Sequence, residues 1–168
     1  EDFMEETDFK VVAPSNVSAT FQITQDNTGL VTITPTGENA ISFDVDFGDG
    51  SPSALNVKAG KSVKHTFTEA THNVKVTANG FNNLKTVSDV QLVVSFKAPT
   101  NLVVAITNDE TTSKKVNVTA SADFATTFDF YPGESGAEKV SGNIGSSASF
   151  IYKEPGTYAV KVTAKGGA

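Results

Sequence analysis

The chain has no cysteine and no tryptophan. Without cysteine no disulfide can staple the fold, so stability must come from packing; the compartment stays open, since many bacterial surface proteins manage without disulfides. Without tryptophan the chain lacks the side chain on which polysaccharide binders most often stack sugar rings. Its three tyrosines, Tyr131, Tyr152 and Tyr158, all fall in the second half. No Lys/Arg run offsets a formal net charge of −6, so the electrostatic footprint of a nucleic-acid binder is missing. No run is long and apolar enough to span a bilayer, and no signal peptide is visible. There is no serine elbow, phosphate loop or cysteine nucleophile, and catalysis finds no support. No segment carries a capped 3.6-residue apolar period.

What the chain does have is a copy of itself. Shifted by 85 residues, it matches without a gap for about 40 positions, the mark of tandem modules. Ala13-Pro14-Ser15-Asn16-Val17 falls on Ala98-Pro99-Thr100-Asn101-Leu102, Phe43-Asp44 on Phe128-Asp129, and Gly48 on Gly133. After a one-residue slip, Val74-Lys75-Val76-Thr77-Ala78 falls on the identical run Val160-Lys161-Val162-Thr163-Ala164. The repeat divides the chain into an acidic lead-in over residues 1–12, read as flexible, and modules over 13–97 and 98–168. Lys97-Ala98-Pro99-Thr100 leaves almost no linker, and proline fixes φ there, which favours a stiff end-to-end arrangement.

Within each module the apolar period is two. Val17, Ala19, Phe21 and Ile23 alternate with polar residues, as do Ile41, Phe43, Val45 and Phe47, then Val63, His65 and Phe67, then Val74, Val76 and Ala78. Such strands present one buried face. Short alternating strands between turn clusters indicate an antiparallel β-sandwich. The second copy repeats the plan through Tyr158–Ala164 but has nothing to match the apolar run Val87–Phe96 of the first. It is expected to lack its last strand, leaving a bare sheet edge and an apolar face. The chain is accordingly read as a fragment of a longer protein; the alternative is that another chain supplies the strand.

The richest local pattern is Asp46-Phe47-Gly48-Asp49-Gly50, followed by His65-Thr66-Phe67 and then Asn73-Val74-Lys75-Val76. Gly48 and Gly50 suit a turn that needs positive φ. Asp46 and Asp49 can accept hydrogen bonds from turn amides, and Phe47 can anchor the turn to a core. His65, in phase with Val63 and Phe67, is read as a half-buried partner of the corner rather than a zinc ligand, because two histidines without cysteine make no metal set. The alternative reading of the carboxylates Asp44, Asp46 and Asp49 is a calcium site, with Asp46 and Asp49 as ligands; the spacing is not that of a complete calcium loop.

Over residues 14–97 this constellation resembles the polycystic-kidney-disease (PKD) repeat, an immunoglobulin-like sandwich whose signature strand ends Trp-Asp-Phe-Gly-Asp-Gly. Val45 stands at the family's tryptophan. The second copy keeps Gly133 and an acidic Glu134, and its Pro155-Gly156-Thr157-Tyr158-Ala159-Val160 is similar to the family's Pro-Gly-Thr-Tyr-x-Val entry into a strand. The resemblance implies an all-β fold of two PKD-type modules and a non-catalytic role as a rigid, monomeric extracellular spacer. It also implies a setting: an outer-membrane lipoprotein of a Gram-negative bacterium, its lipid anchor before Glu1, and a polysaccharide-binding domain after Ala168 working beside an importer complex. No cofactor beyond the possible calcium is implied. The alternatives are that the modules themselves bind a polysaccharide or a protein partner, with Tyr131 beside Pro132 and Gly133 as the exposed aromatic, or that they belong to a secreted hydrolase. Asn16-Val17-Ser18 and Asn117-Val118-Thr119 fit the N-glycosylation pattern, a triplet that arises often by chance.

Overall fold

A computed structural model describes residues 10–167. The acidic start of the lead-in lies outside the described residues, and residues 10–14 form no strand. The fold is all-β and antiparallel, and fits the immunoglobulin-like class expected.

The first set of strands comprises β1 (Ser15–Ile23), β2 (Leu30–Glu38), β3 (Ser42–Asp46), β4 (Ala54–Lys58), β5 (Val63–Thr66), β6 (Ala70–Asn79) and β7 (Lys85–Val94). They form two sheets, β1-β2-β5 and β4-β3-β6-β7. A 3₁₀ turn, Phe81–Asn83, joins β6 to β7. Phe21, Ile23, Val31, Ile33, Phe43, Val45, Phe67, Val74, Val76, Leu92 and Val94 fill the space between the sheets. The period of two puts the strand residues among them on inner faces, and Phe67 follows directly after β5.

The second set comprises β8 (Thr100–Asn108), β9 (Lys115–Asp123), β10 (Thr127–Tyr131), β11 (Val140–Asn143), β12 (Ser147–Ile151) and β13 (Lys161–Lys165). Its sheets, β12-β9-β8 and β11-β10-β13, reproduce the first set less β7. The copy extends to register. Ser18 faces Thr36 in the first set and Val103 faces Ser121 in the second; Phe43 faces Val57 and Phe128 faces Gly142. Even the irregularity that breaks each opening hairpin is repeated: Asn16 and Asn101 hold φ of 51° and 56°, and each lies where its register shifts. Asparagine tolerates this left-handed conformation better than most side chains, which explains why both copies carry it.

Two strands, β4 and β11, are absent from the pattern reading. Of β4 only Val57 is buried, and β11 is Val-Ser-Gly-Asn at a sheet edge. An edge strand with one inward apolar residue carries no period to detect. Ile41, read as an inward residue, precedes β3 and is exposed.

The two sets meet at the junction and beyond it. Thr126 Oγ1 donates to the Val93 carbonyl, and Gly167 N donates to Ser95 O at 3.0 Å. Asn27 N donates to Gly167 O at 2.9 Å, the Gln25 amide donates to Gly166 O, and the Asn143 amide on β11 donates to Ala19 O on β1 at 2.9 Å. Lys97 Nζ sits 4.8 Å from the centre of the Phe124 ring.

Candidate functional site

The corner after β3 gathers most of the residues the sequence singles out. Asp46 Oδ1 accepts the Gly48 N–H at 2.9 Å, and Asp49 Oδ1 accepts the Ser51 N–H at 3.0 Å. Asp44 Oδ1 accepts the Asn56 N–H at 2.9 Å, tying β3 to β4. Each of the three carboxylates thus satisfies a backbone amide that the strand ladder leaves over. Among the described residues no three His, Asp or Glu side chains cluster as metal ligands, so Asp46 and Asp49 belong to no such group.

His65 reaches the corner from β5. Its Nε2 lies 2.7 Å from Asp49 Oδ2. Its ring stacks on Phe47 with centroids 4.0 Å apart and planes 3° apart, and Phe67 meets it edge-on at 4.6 Å. The hydrogen bond from His65, helped by the Ser51 amide, holds the Asp49 carboxyl down at about 2. The imidazole is clamped between an aromatic stack and a carboxylate. What it does here is pin the turn onto the core aromatics. His72, the other histidine, is buried and donates from Nε2 to the Thr68 carbonyl at 2.9 Å.

Gly48 is fixed by a close approach. Its φ is +73°, and a Cβ there would stand 2.2 Å from the Asn73 carbonyl oxygen on β6. Gly133 repeats this at φ +76°, with the Ala159 oxygen 2.0 Å away. Only glycine fits either position. Gly50, at φ +85°, has open space around it.

Around Gly133 the second corner is built differently. Glu134 stands at the place of Asp49 and accepts the Lys153 N–H at 2.9 Å. Tyr152 donates its hydroxyl to Pro132 O at 2.9 Å and stacks on Tyr158 at 4.1 Å. Tyr131 is exposed, and Lys161 Nζ lies 5.4 Å from its ring centre.

One polar cluster escapes the sequence reading. Asp129, buried between Phe128 and Phe130 on β10, accepts Lys139 Nζ at 2.8 Å, Lys165 Nζ at 2.6 Å and Ser141 Oγ at 2.6 Å. Burial pushes its carboxyl up, but the bonds from Lys139, Lys165 and Ser141 outweigh burial and hold it at about 2. The cluster lines a crevice of about 500 Å³ whose other wall carries Thr20, Gln22 and Thr32 of the first set. The available signal was an aspartate between two phenylalanines on a strand. Its two lysines lie 10 and 36 residues away with no spacing pattern to link them.

No protein-family model matches the chain, and no curated protein matches it.

Proposed function

We propose that this chain is a pair of non-catalytic PKD-type modules acting as a stiff spacer. The observation that carries the reading is the bonding between the two strand sets. The Thr126–Val93, Gly167–Ser95 and Asn143–Ala19 hydrogen bonds hold the second set against the first from both sides of a junction with almost no free linker. A chain built to tumble freely would leave those groups to water. The corner supports the same reading. Its carboxylates cap amides of their own turn, and its histidine is stacked, so the motif works for the fold.

The setting we propose rests on the sequence resemblance. The modules belong to a surface lipoprotein of a Gram-negative bacterium and hold a polysaccharide-binding domain, outside these residues, away from the outer membrane and next to an importer complex. The negative charge opposes collapse onto an anionic surface. No metal is required; if a cation bound, Asp46 and Asp49 would hold it.

Residual dipolar couplings measured over both strand sets test the spacer. One alignment tensor should fit both. Two independent tensors would remove the stiffness on which the reading rests. Retardation of the chain itself on glycan-containing gels would replace it with direct binding, and Tyr131→Ala would then be the first variant to examine.

A further inference from the structure

The Asp129 cluster holds one more positive charge than its carboxylate can balance. Lys139 Nζ and Lys165 Nζ both bond Asp129 Oδ2, at 2.8 and 2.6 Å. One lysine would neutralise the aspartate. The second sets two ammonium groups side by side, and like charges that close repel. The fold does not call for the pair. In the first set Asp44 holds the place of Asp129 with one backbone amide, and Asn79 stands at the place of Lys165. Asp129 keeps only 4% of its side chain exposed, whereas Lys139 and Lys165 keep 43% and 34%. Each ammonium carries three protons, so donors remain open to the crevice that both lysines line.

The facing wall is neutral and polar. Thr20 and Gln22 on β1 and Thr32 on β2 share the outer face of their sheet and present hydroxyl and amide groups across about 500 Å³. Lys64, exposed on β5, stands beside Thr32 on that face. Asn143 ties the two walls through its bond to Ala19 O. Phe21 alone brings an aromatic ring to the lining, and that ring is packed in the first core. The crevice thus joins unbalanced positive charge, in a chain of net charge −6, to a row of neutral hydrogen-bonding groups. It offers no ring on which a nucleobase or a neutral sugar could stack.

We propose that this crevice binds a short acidic saccharide. Its carboxylate bridges Lys139 and Lys165 and balances the second ammonium, while its hydroxyls bond Thr20, Gln22 and Thr32. Charge-assisted hydrogen bonds supply here the affinity that an aromatic platform supplies elsewhere. The volume leaves room for about one or two sugar rings. The ligand is therefore a short acid rather than the flank of a polymer, and the spacer reading is kept. The site does rest on the held arrangement of the two strand sets, since each set supplies one wall.

The test uses the whole chain, with free glucuronate as probe and glucose and inorganic phosphate as controls. Backbone amide and lysine ammonium spectra are followed during titration. Saturable binding at ~1 mM is expected, with shifts confined to Thr20, Gln22, Thr32, residues 139–143 and Lys165. Glucose should bind at least ~10-fold more weakly, because it lacks the charge-assisted bonds. Phosphate should bind more weakly than glucuronate and leave Gln22 and Thr32 unshifted. Lys139→Gln leaves Lys165 to neutralise Asp129, and should lower affinity at least ~10-fold without moving the tyrosine-detected melting curve. Gln22→Ala, on the facing wall, should lower it ~3-fold or more. Equal binding of glucose or phosphate, unchanged affinity in either variant, or shifts centred outside the crevice would each overturn the proposal. No saturable binding alongside a single alignment tensor would remove this site and leave the spacer; two independent tensors would remove both.

Discussion

Phe43 and Phe128 occupy the same place in two copies of one design, with matching strand partners on both sides. The cores around them differ sharply. Fifteen apolar residues are buried together in the first set and four in the second. The inner-face sequences account for part of this, since Asn108 and Gly142 stand where Ile23 and Val57 are buried, while Leu102, Val104 and Ile106 are as apolar as Val17, Ala19 and Phe21. Among the described residues, the rest of the difference is β7. One strand adds its own apolar residues and also seals the strand across from it. Apolar patterning therefore decides which face a side chain takes, while burial depends on whether the sandwich is closed.

The comparison breaks most visibly at the two phenylalanines. All three tyrosines lie in the second set, so tyrosine fluorescence reports that set alone while circular dichroism reports both. In denaturant the tyrosine transition of the wild type should come first, because burial stabilises in proportion to the area removed from water. Phe43→Ala should cost ~3–5 kcal/mol. It should shift the dichroism transition with little change in tyrosine emission. Phe128→Ala removes one of the four apolar residues buried together in the second core and should abolish the tyrosine transition altogether. Coincident transitions in the wild type would mean that the two sets unfold as one cooperative body.

The glycine pair gives the next largest effect. Gly48→Ala combines an unfavourable φ with a backbone collision, and should cost ~2–4 kcal/mol from the left-handed and overpacking penalties together. Gly133→Ala meets the same collision, but with Ala159, in a stretch that is not held in a strand. That backbone can move, so the cost should be smaller. Gly50→Ala, with open space, should show only the conformational penalty of ~1 kcal/mol. Equal losses at Gly48 and Gly50 would remove the close approach as the reason for the motif.

Much of this was legible in the residues, for a physical reason. An internal repeat, an alternation of period two and turn chemistry are local signals. They located eleven of the thirteen strands among the described residues. What escaped is non-local. β4 and β11 become strands because β3 and β10 offer them an edge, not because of their own apolar pattern. Tyr158–Val160 reads as the start of a strand from its residues, yet it lies outside β13, where the pairing that extends β6 is missing. The Asp129 cluster assembles side chains from three strands and a loop.

That cluster has a weaker counterpart in the first set. Asp44 occupies the position of Asp129 and bonds only a backbone amide across the sheet. Asp129→Asn should destabilise the second set by ~1–2 kcal/mol, a figure kept low because both lysines reach in from solvent. Asp44→Asn should cost less, since an amide oxygen can still accept from Asn56. Tyrosine emission should follow the first variant and ignore the second.

The smallest effect separates the two corners by acid. Asp49 has a folded-state value of about 2, below the ordinary 3.8 of its unfolded form, because His65 and the Ser51 amide favour the carboxylate. A depressed carboxyl stabilises the fold fully above the unfolded value and loses that contribution as pH falls towards the folded one. The corner's contribution is thus present above about pH 4 and gone near pH 2. In the second corner Phe150 replaces His65, and a tyrosine hydroxyl on a carbonyl does the pinning, which does not titrate in this range. Asp49→Asn should therefore flatten part of the acid dependence of the first transition, by ~0.5–1 kcal/mol for a pair of this exposure, and leave the tyrosine transition unmoved. His65→Phe, which copies the second corner while keeping an aromatic ring for Phe47 to stack on, should produce the same flattening. If H65F keeps the full acid slope, the link between Asp49 and His65 does not shape the stability of this corner.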